Sequence, residues 1–146
     1  MIGTIIARQA VKSGFDALND RNLDKFMKAW AEQSAWIYPG NLSVSGKFVG
    51  KDKVRKWFEH FQEQFPQMRF TVKHYGIGNI FALGGNNVVS AYWDLEATNK
   101  SGLKYQNSGV TLLTIKGAKV VQEKIFCLKV QGRILPKYGE SNSFVK

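Results

Sequence analysis

The stretch "VSAYWDLEATNKSGLKYQNSGVTLLTIKGAKVVQEKIF", residues 89–126, decides the fold. Apolar and polar side chains alternate along most of it, which is the period of a strand that is buried on one face. Two clusters of turn-forming residues, "NKSG" and "KGAK", interrupt the alternation. The stretch therefore predicts long strands joined by hairpins, at 88–98, 103–115 and 120–130.

The half of the chain that precedes Pro66 is predicted to be mainly helical, because its apolar side chains recur every three or four residues. Asn22 stands where the second helix begins, and an asparagine there can accept a hydrogen bond from a free backbone N–H of the first turn. Pro66 ends the third helix. The pattern predicts helices at 4–19, 23–33 and 51–65, a short strand at 34–40 and a further long strand at 69–83.

These elements indicate one α+β domain over residues 1–146, with its core at about 5–130 and a C-terminal tail at 131–146. Three N-terminal helices should pack on a strongly curved antiparallel sheet, because the apolar face of that sheet needs to be covered. A chain of this length buries roughly two-thirds of the surface that its unfolded form exposes, which is enough for a sizeable core.

The composition argues against several kinds of site. Cys127 is the only cysteine, so neither an internal disulfide nor a cysteine-based zinc site can form. The chain has two histidines, which makes a histidine-rich metal site unexpected as well. The segment "GIGNIF" at 76–81 lacks the third glycine and the following helix of a dinucleotide-binding motif. We therefore expect no metal and no cofactor.

The net charge of +10, from 21 Lys and Arg against 11 Asp and Glu, is compatible with an anionic partner. No base-stacking motif or recognition helix accompanies the charge, so a nucleic acid is not the expected partner. No segment reaches the roughly 18 apolar residues of a membrane span, and the N-terminus lacks a signal-peptide cleavage pattern. The prediction is a cytoplasmic protein without a membrane partner.

Turn geometry predicts which side chains share a face of the sheet. If "NKSG" closes a four-residue loop, Trp93 lies opposite Ser108, and a two-residue turn in "KGAK" then pairs Ser108 with Cys127. The opposite face is mixed and suits solvent or a partner subunit. The face that the helices should cover holds Val89, Ala91, Trp93, Leu95, Ala97, Val110, Leu112, Val121, Ile125 and Cys127.

Two acidic residues, Glu123 and Asp94, are the candidate catalytic groups. Glu123 is the odd residue on the predicted apolar face, where burial would raise its pKa and allow it to act as a general base. Alternatively, it reaches solvent at the strand end or pairs with a nearby lysine. Asp94 falls on the polar face, as a surface or subunit-contact residue. A one-residue shift of the last strand would instead exchange the faces and place Asp94 with Tyr92 in the pocket.

Cys127 could be a nucleophile only with a base within hydrogen-bond reach. His74 would lie about 13 Å away along the sheet, which is too far. A lone buried cysteine usually behaves as a small apolar residue, so we expect Cys127 to be part of a pocket wall. The residues predicted to line that pocket are Trp36, Tyr38, Trp57, Phe61, His74, Trp93, Ser108 and Cys127.

The order of these elements and the residues in them resemble a known family. The quoted stretch at 89–126 is joined by "LNDRNLDKFMKAWAEQSAWIYPG" at 18–40 and "GKFVGKDKVRKWFEHF" at 46–61. Together they resemble the SnoaL-like branch of the NTF2-like superfamily, over roughly residues 5–130. The resemblance implies a cone, in which a curved sheet and helices surround an apolar pocket, and it commonly implies a homodimer.

The resemblance also implies a class of chemistry. The family includes polyketide cyclases, ketosteroid isomerases and epoxide hydrolases, which generally use a pocket carboxylate to move a proton. In the cyclases an Asp often follows an aromatic residue near the end of the last strand. Here "IFCL" places Cys127 or Leu128 at that position, and neither moves a proton as Asp does. The segment "YWDLE" also lacks the Arg-x-Asp arrangement typical of the epoxide hydrolases.

The sequence thus predicts a homodimer that binds a small apolar or aromatic molecule in the cone pocket. That pocket either binds its ligand without chemistry or supports a proton transfer of the cyclase or isomerase type, through Glu123 or Asp94. The alternative is a non-catalytic protein-interaction module whose basic surface meets an anionic partner.

Overall fold

The computed structural model describes residues 2–81 and 84–131, which form three helices and six strands. The predicted tail at 131–146 lies outside those residues except for Gln131, which ends the last strand. The helices are α1 (Ile2–Asn19), α2 (Leu23–Lys28) and α3 (Lys51–Gln64), and the strands are β1 (Trp30–Tyr38), β2 (Gly46–Val49), β3 (Gln67–Ile77), β4 (Asn87–Thr98), β5 (Lys104–Lys116) and β6 (Lys119–Gln131).

The strands form one sheet in the order β2-β1-β6-β5-β4-β3. Neighbouring strands pair antiparallel with one exception, since β1 and β6 run parallel, and the curved sheet is therefore mixed and unclosed. The predicted α+β class, with helices packed on a curved sheet, is confirmed. The short edge strand β2 lies between the predicted strand at 34–40 and the predicted helix at 51–65, where the sequence pattern predicts no element, because four residues are too few for a clear alternation.

The second helix is shorter than its sequence pattern predicts. Asn22 caps it as expected, with its side-chain oxygen accepting a hydrogen bond from the backbone N–H of Lys25. The helix ends at Lys28, however, because the chain joins the sheet at the next residues: the backbone N–H of Val120 donates to the carbonyl of Ala29 at 2.8 Å. Sheet pairing thus replaces the last turns of the predicted helix and overrides local propensity.

Helix α1 lies along β3 and runs antiparallel to it. At its C-terminal end, the Asn19 side chain forms hydrogen bonds with both the backbone N–H and the carbonyl of Phe70, at 2.7 and 2.9 Å. Further back, the Arg8 guanidinium lies over the Tyr75 ring at 5.2 Å from the ring centroid. The first turns of α1 therefore lie beside the end of β3.

Helix α3 ends against the connection between α1 and α2. Arg21 adopts a left-handed backbone conformation, with φ of 56°, and its guanidinium donates to the carbonyls of Gln62, Phe65 and Pro66 at 2.9, 3.0 and 3.2 Å. Carbonyl groups at a helix C-terminus have no partner within the helix, so a cation at this position is stabilising.

The β4–β5 register differs by one residue from the prediction. The loop has five residues, because the side-chain oxygen of Asn99 accepts hydrogen bonds from the backbone N–H groups of Ser101 and Leu103. As a result Trp93 pairs with Gly109 rather than with Ser108. A one-residue shift moves every side chain of a strand to the other face, so the predicted inward positions Val110 and Leu112 were wrong. The inward residues of β5 are Gly109, Thr111, Leu113 and Ile115.

From Glu123 to Ile125 the last strand keeps its predicted face because a second irregularity offsets the first, whereas at its start Val120 is buried and the predicted inward position Val121 was wrong. The two-residue turn between Lys116 and Lys119 forms as expected, but the register then shifts between Thr114 and Ile115. Such a bulge places an extra residue in one strand. Glu123 and Ile125 consequently lie on the helix-covered face, and both are buried.

The centre of the fold is an aromatic core between α3 and the sheet. Trp36 packs on Trp57 with ring centroids 4.9 Å apart and on Phe58 at 4.8 Å. The Trp93 indole N–H donates to the buried hydroxyl of Thr111 at 2.8 Å. Among the helices that the structure describes, none combines the length and the apolar character needed to cross a membrane.

Candidate functional site

A cavity of about 470 Å³ lies between α1 and the sheet. Its walls come from α1, the end of α2, the start of β4, and the hairpin formed by β5 and β6. Apolar side chains dominate the lining, as is typical of sites for small molecules. The lining residues are Gly3, Ile6, Ala7, Ala10, Val11, Gly14, Phe15, Leu18, Phe26, Ala29, Trp30, Gly84–Asn87, Leu113, Ile115, Ala118, Val120 and Glu123.

Small residues on α1 create much of this space. Gly3, Ala7, Ala10 and Gly14 all line the cavity, and their spacing of three or four residues places them on one face of the helix. A larger side chain at any of them would occupy volume that is now empty. This stripe is the signal in the sequence that could have located the cavity, and the sequence reasoning missed it.

Glu123 is the one ionisable side chain among the residues that line the cavity. It lies near the start of β6, opposite Leu113 on β5 and Trp36 on β1. Its neighbours in the lining are apolar, and burial raises the pKa of its carboxyl group from 4.5 to about 8. Burial has this effect because the charged form loses the solvation that water would provide.

Glu123 is buried rather than solvated at a strand end, and among the described side chains no lysine pairs with it. The residue is 7% exposed, which leaves its carboxyl group away from bulk water. Within residues 3–81 and 84–128, no lysine or arginine forms an ion pair with it. The carboxyl group thus faces a mostly apolar cavity without a charged partner in the described part of the chain.

Five aromatic residues predicted to line the pocket belong to the core rather than to this cavity wall. They pack on one another or on further aromatic rings. Trp36, for example, has its ring centroid 4.9 Å from that of Trp57 and 6.3 Å from that of Tyr38. Trp93 packs on Phe70 at 5.3 Å. The five residues are Trp36, Tyr38, Trp57, Phe61 and Trp93, and none of them lines the cavity of about 470 Å³.

Cys127 lies away from the cavity and is exposed. Its neighbours are Tyr38 and Asn107, and the side-chain nitrogen of Asn107 lies 3.8 Å from the cysteine sulfur. Burial raises the pKa of the Tyr38 hydroxyl, and the nearby Cys127 raises it further. The expectation of a buried cysteine in a pocket wall was therefore wrong, because this end of β6 leaves the thiol accessible.

The remaining candidates lie on the outer face of the sheet, opposite the helices. The Asp94 carboxylate accepts a hydrogen bond from the Ser108 hydroxyl at 2.8 Å and lies 3.5 Å from the ammonium of Lys73. His74 is exposed and stacks on Tyr92 with a centroid distance of 6.3 Å. Asp94, Tyr92 and Ser108 line a second pocket, on this outer face. The two predicted acidic residues are therefore on opposite faces, and only Glu123 lines the cavity.

A metal site is not part of this arrangement in the described residues. No group of three or more His, Cys, Asp or Glu side chains converges there in a way that could hold a metal ion. Asn86 and Asn87 also line the cavity, but their side-chain amides form hydrogen bonds within the protein: the Asn86 oxygen accepts from the backbone N–H of Gly117, and the Asn87 amide bonds with the backbone of Asn79 and Val88. A ligand in the cavity would thus meet one carboxyl group and mostly apolar walls.

Comparison with known proteins gives a match to one family. The sequence profile of the SnoaL-like domain matches residues 11–123. None of the curated proteins matches this chain in sequence. The solved structure of an NTF2-like protein of unknown function from Burkholderia pseudomallei is similar, with a TM-score of 0.73 at 17% identity, covering 84% of this chain and 90% of that chain.

Two further similar structures carry names that refer to small molecules. A candidate scytalone dehydratase from Novosphingobium aromaticivorans has a TM-score of 0.77 at 12% identity, covering 92% of this chain and 89% of that chain. TerC, co-crystallised with polyporic acid, has a TM-score of 0.69 at 15% identity, covering 84% of this chain and 91% of that chain. At such low identities the likeness shows the shared fold alone.

Proposed function

The chain belongs to the SnoaL-like domain family, and from this premise we propose that it binds a small apolar or aromatic molecule in the cavity beneath α1. We further propose that Glu123 transfers a proton to or from the bound molecule. The observation that supports both parts is the position of Glu123, a carboxyl group without a charged partner among the described residues, in a mostly apolar cavity of about 470 Å³.

The lining supports an apolar ligand rather than a charged one. A cavity of this volume lies within the range of roughly 300–1,000 Å³ that holds small molecules in proteins. Removing its apolar walls from water would provide most of the affinity. The Glu123 carboxyl group would orient a hydroxyl or carbonyl group of the ligand.

The pKa of Glu123 suits proton transfer. General acids and bases are most effective when their pKa is near the working pH, and the pKa of Glu123 is about 8. At neutral pH the protonated carboxyl group can give its proton to a basic atom of the ligand. The resulting carboxylate can then take a proton from an acidic C–H or O–H group, so the cycle requires no other reactant.

The similar structures are consistent with this proposal. TerC was co-crystallised with polyporic acid, and the Novosphingobium aromaticivorans protein is a candidate scytalone dehydratase. These names refer to the similar proteins and not to this chain, but both support a small molecule as the occupant of a cavity in this fold. A cyclase or isomerase type of reaction through Asp94 is less well supported, because that residue lies on the outer face.

We also propose that the protein is a homodimer through the outer face of the sheet, and the cytoplasmic location stays a prediction. Phe126 and Val88 are 42% and 44% exposed on or beside this face, and apolar side chains of this size favour burial against a partner. Native mass spectrometry should give twice the mass of the chain. A mass of one chain would contradict the dimer without affecting the cavity.

Ligand binding can be tested with N-phenylnaphthylamine, a neutral aromatic probe whose fluorescence rises in apolar surroundings. We expect the protein to bind it and Ala10→Phe to weaken binding at least about tenfold, because the added ring would fill the cavity. Gln9→Phe is the matched control, since Gln9 is an exposed neighbour on α1 that does not line the cavity. Equal affinities for both variants would contradict the assignment of the site.

Proton transfer can be tested with β-tetralone in heavy water, in which an enolisable ketone exchanges hydrogen for deuterium. The protein should accelerate the exchange, and Glu123→Gln should abolish the acceleration while it still binds the probe. If the unchanged protein and Glu123→Gln give equal exchange rates, Glu123 does not transfer a proton and the protein only binds its ligand. If neither probe nor ketone binds, the non-catalytic interaction module becomes the better explanation.

A further inference from the structure

The cavity opens at one end of the molecule, which is defined by the start of α1, the connection from β3 to β4, and the β5–β6 turn. Ile6 lines the cavity and is 55% exposed, so it stands at the opening. The turn lies close to the connection, because the backbone N–H of Ala118 donates to the carbonyl of Gly85 at 2.9 Å. Three separate parts of the chain thus surround one opening.

Exposed apolar side chains concentrate around this opening. Ile5 is 67% exposed beside Ile6 on the first turns of α1, and Phe81 is 78% exposed on the connection that provides Gly84 to the cavity lining. Phe81 has the largest exposed fraction among the large apolar side chains of the described residues. Large side chains that are exposed around a cavity usually mark a surface that contacts an apolar partner.

The same end of the molecule is basic. Arg8 lies on α1, and Lys116 and Lys119 flank the β5–β6 turn. Lys28 lies next to them, because the Lys119 ammonium donates to its backbone carbonyl. The described segments 2–11, 78–81, 84–88 and 113–120, which surround the opening, contain no Asp or Glu. The cavity-end surface, made of Ile5, Ile6, Arg8, Phe81, Lys116 and Lys119, therefore combines apolar and cationic groups.

We propose that the cavity-end surface docks on the surface of an anionic lipid bilayer. Large apolar side chains flanked by lysine and arginine are the composition that binds the interface of such a bilayer, where apolar groups enter the acyl boundary and cations stay near the headgroups. A nucleic acid would match the charge but not the exposed Ile5, Ile6 and Phe81. An acidic protein remains an outcome of the test.

This proposal departs from the expectation of no membrane partner, which rested on the absence of a spanning segment in the sequence. Docking at the interface needs no spanning helix. It would place the cavity opening against the lipid, so that an apolar ligand could pass from the bilayer into the cavity without crossing water. The docking does not depend on the chemistry of Glu123, and it can be tested without any cavity ligand.

Co-sedimentation with vesicles tests the proposal directly. The full chain should sediment with vesicles of phosphatidylcholine mixed with an equal part of phosphatidylglycerol, and much less with phosphatidylcholine alone. Binding should fall as the salt concentration rises, because salt screens exposed charges. Lys116→Glu should lower partitioning at least about fivefold, since each basic residue near such a surface contributes about 1 kcal/mol. Phe81→Ser should lower it roughly tenfold through lost apolar burial.

Matched controls lie at the opposite end of the sheet, in the β4–β5 loop. Lys100→Glu changes the charge by the same amount, and Leu103→Ser removes an apolar side chain that is 59% exposed. Both should bind vesicles like the unchanged protein, and so should Glu123→Gln. If Glu123→Gln lost vesicle binding, docking would depend on the cavity carboxyl group, contrary to this proposal.

Three results would overturn the docking proposal. One is equal binding to the neutral and the anionic vesicles. Another is an equal loss with the control variants, which would indicate a non-specific effect of the net charge. The third is an absence of sedimentation together with binding to a mixed-sequence DNA duplex or an acidic peptide. None of these results would affect probe binding in the cavity, so failure of docking and failure of the proposed function are distinguishable.

Discussion

Trp36 and Glu123 are direct neighbours on the parallel strands β1 and β6, where their α-carbons are register partners. The indole of Trp36 belongs to the aromatic core, whereas the Glu123 side chain lines the cavity. The boundary between a filled core and an open site thus runs between two adjacent residues of one sheet. On the side of Trp36, the aromatic core leaves no empty volume next to Glu123. On the side of α1, the small residues of the helix leave the cavity open next to it.

The buried carboxyl group should make stability depend on pH. The pKa of Glu123 is about 8 in the folded protein and 4.5 as its ordinary value. Between these values the folded state holds a proton that the unfolded state has lost, so stability falls as the pH rises through this window. The contribution is fully present below 4.5 and is lost above about 8.

Urea unfolding of Glu123→Gln measures this contribution. The variant should gain stability relative to the unchanged protein between about pH 5 and about pH 9, by an amount on the order of several kcal/mol. Glu63→Gln is the control for replacing a carboxyl group that is exposed to water, because Glu63 is exposed on α3. A constant difference for Glu123→Gln would mean that the carboxyl group is solvated.

Removing the Arg21 side chain should destabilise the fold. Arg21→Ala would lose the hydrogen bonds to the carbonyls of Gln62, Phe65 and Pro66, at a cost of about 1–3 kcal/mol. Arg21→Gly loses the same bonds but relieves the positive φ of 56°, so it should cost less. Thermal unfolding of the two variants checks this order, and the reverse order would contradict the backbone assignment.

A methyl group at Gly109 should not fit. A Cβ at this position would lie 2.6 Å from Cζ2 of Trp93 and 2.9 Å from the carbonyl oxygen of Phe126. The indole cannot move easily, because its N–H is bonded to Thr111. Gly109→Ala should therefore lower the free energy of unfolding by about 1–3 kcal/mol. Gly84→Ala is the control with no atom within 4 Å, and a similar loss there would contradict the steric explanation.

Alkylation of Cys127 should leave the cavity intact. The thiol is exposed and does not line the cavity, so iodoacetamide should modify it fully in the folded protein. Binding of N-phenylnaphthylamine should be unchanged after modification and in Cys127→Ser. Mass spectrometry reports the modification and fluorescence reports the binding. A protected thiol, or a loss of probe binding after alkylation, would place Cys127 nearer to the ligand than the structure does.

The sequence predicts the kind of fold well, because helical and strand periods in this chain are long and regular. The caps and turns at Asn22 and Gly117 also form as their residue types predict. Predictions fail where a tertiary contact overrides the local pattern. Helix α2 ends early because Trp30 pairs with Val120 in the sheet. Strand β5 places its other face inward because the hydrogen bonds of Asn99 stabilise a longer β4–β5 loop.

The site is harder to predict than the fold for a related reason. In a sequence, large aromatic residues such as Trp57 are candidates for a pocket wall, but in the structure they pack against other rings in the core. Cavities form where side chains are small, and the glycines and alanines of α1 leave no hydrophobic signal. Glu123 could be recognised because an acidic residue interrupts an apolar face. Its position in the cavity wall depends on a bulge between β5 and β6, and no residue type in these strands predicts that bulge.

The hydrogen bonds between Asn19 and Phe70 have a consequence for the behaviour of the chain in concentrated solution. Strand β3 is an edge of the sheet, and an open edge can add a strand from another molecule and so begin an aggregate. The Asn19 amide occupies both the N–H and the carbonyl of Phe70, within that edge strand. An incoming strand would have to displace a side chain of the same molecule first, so one amide protects the edge against growth of the sheet.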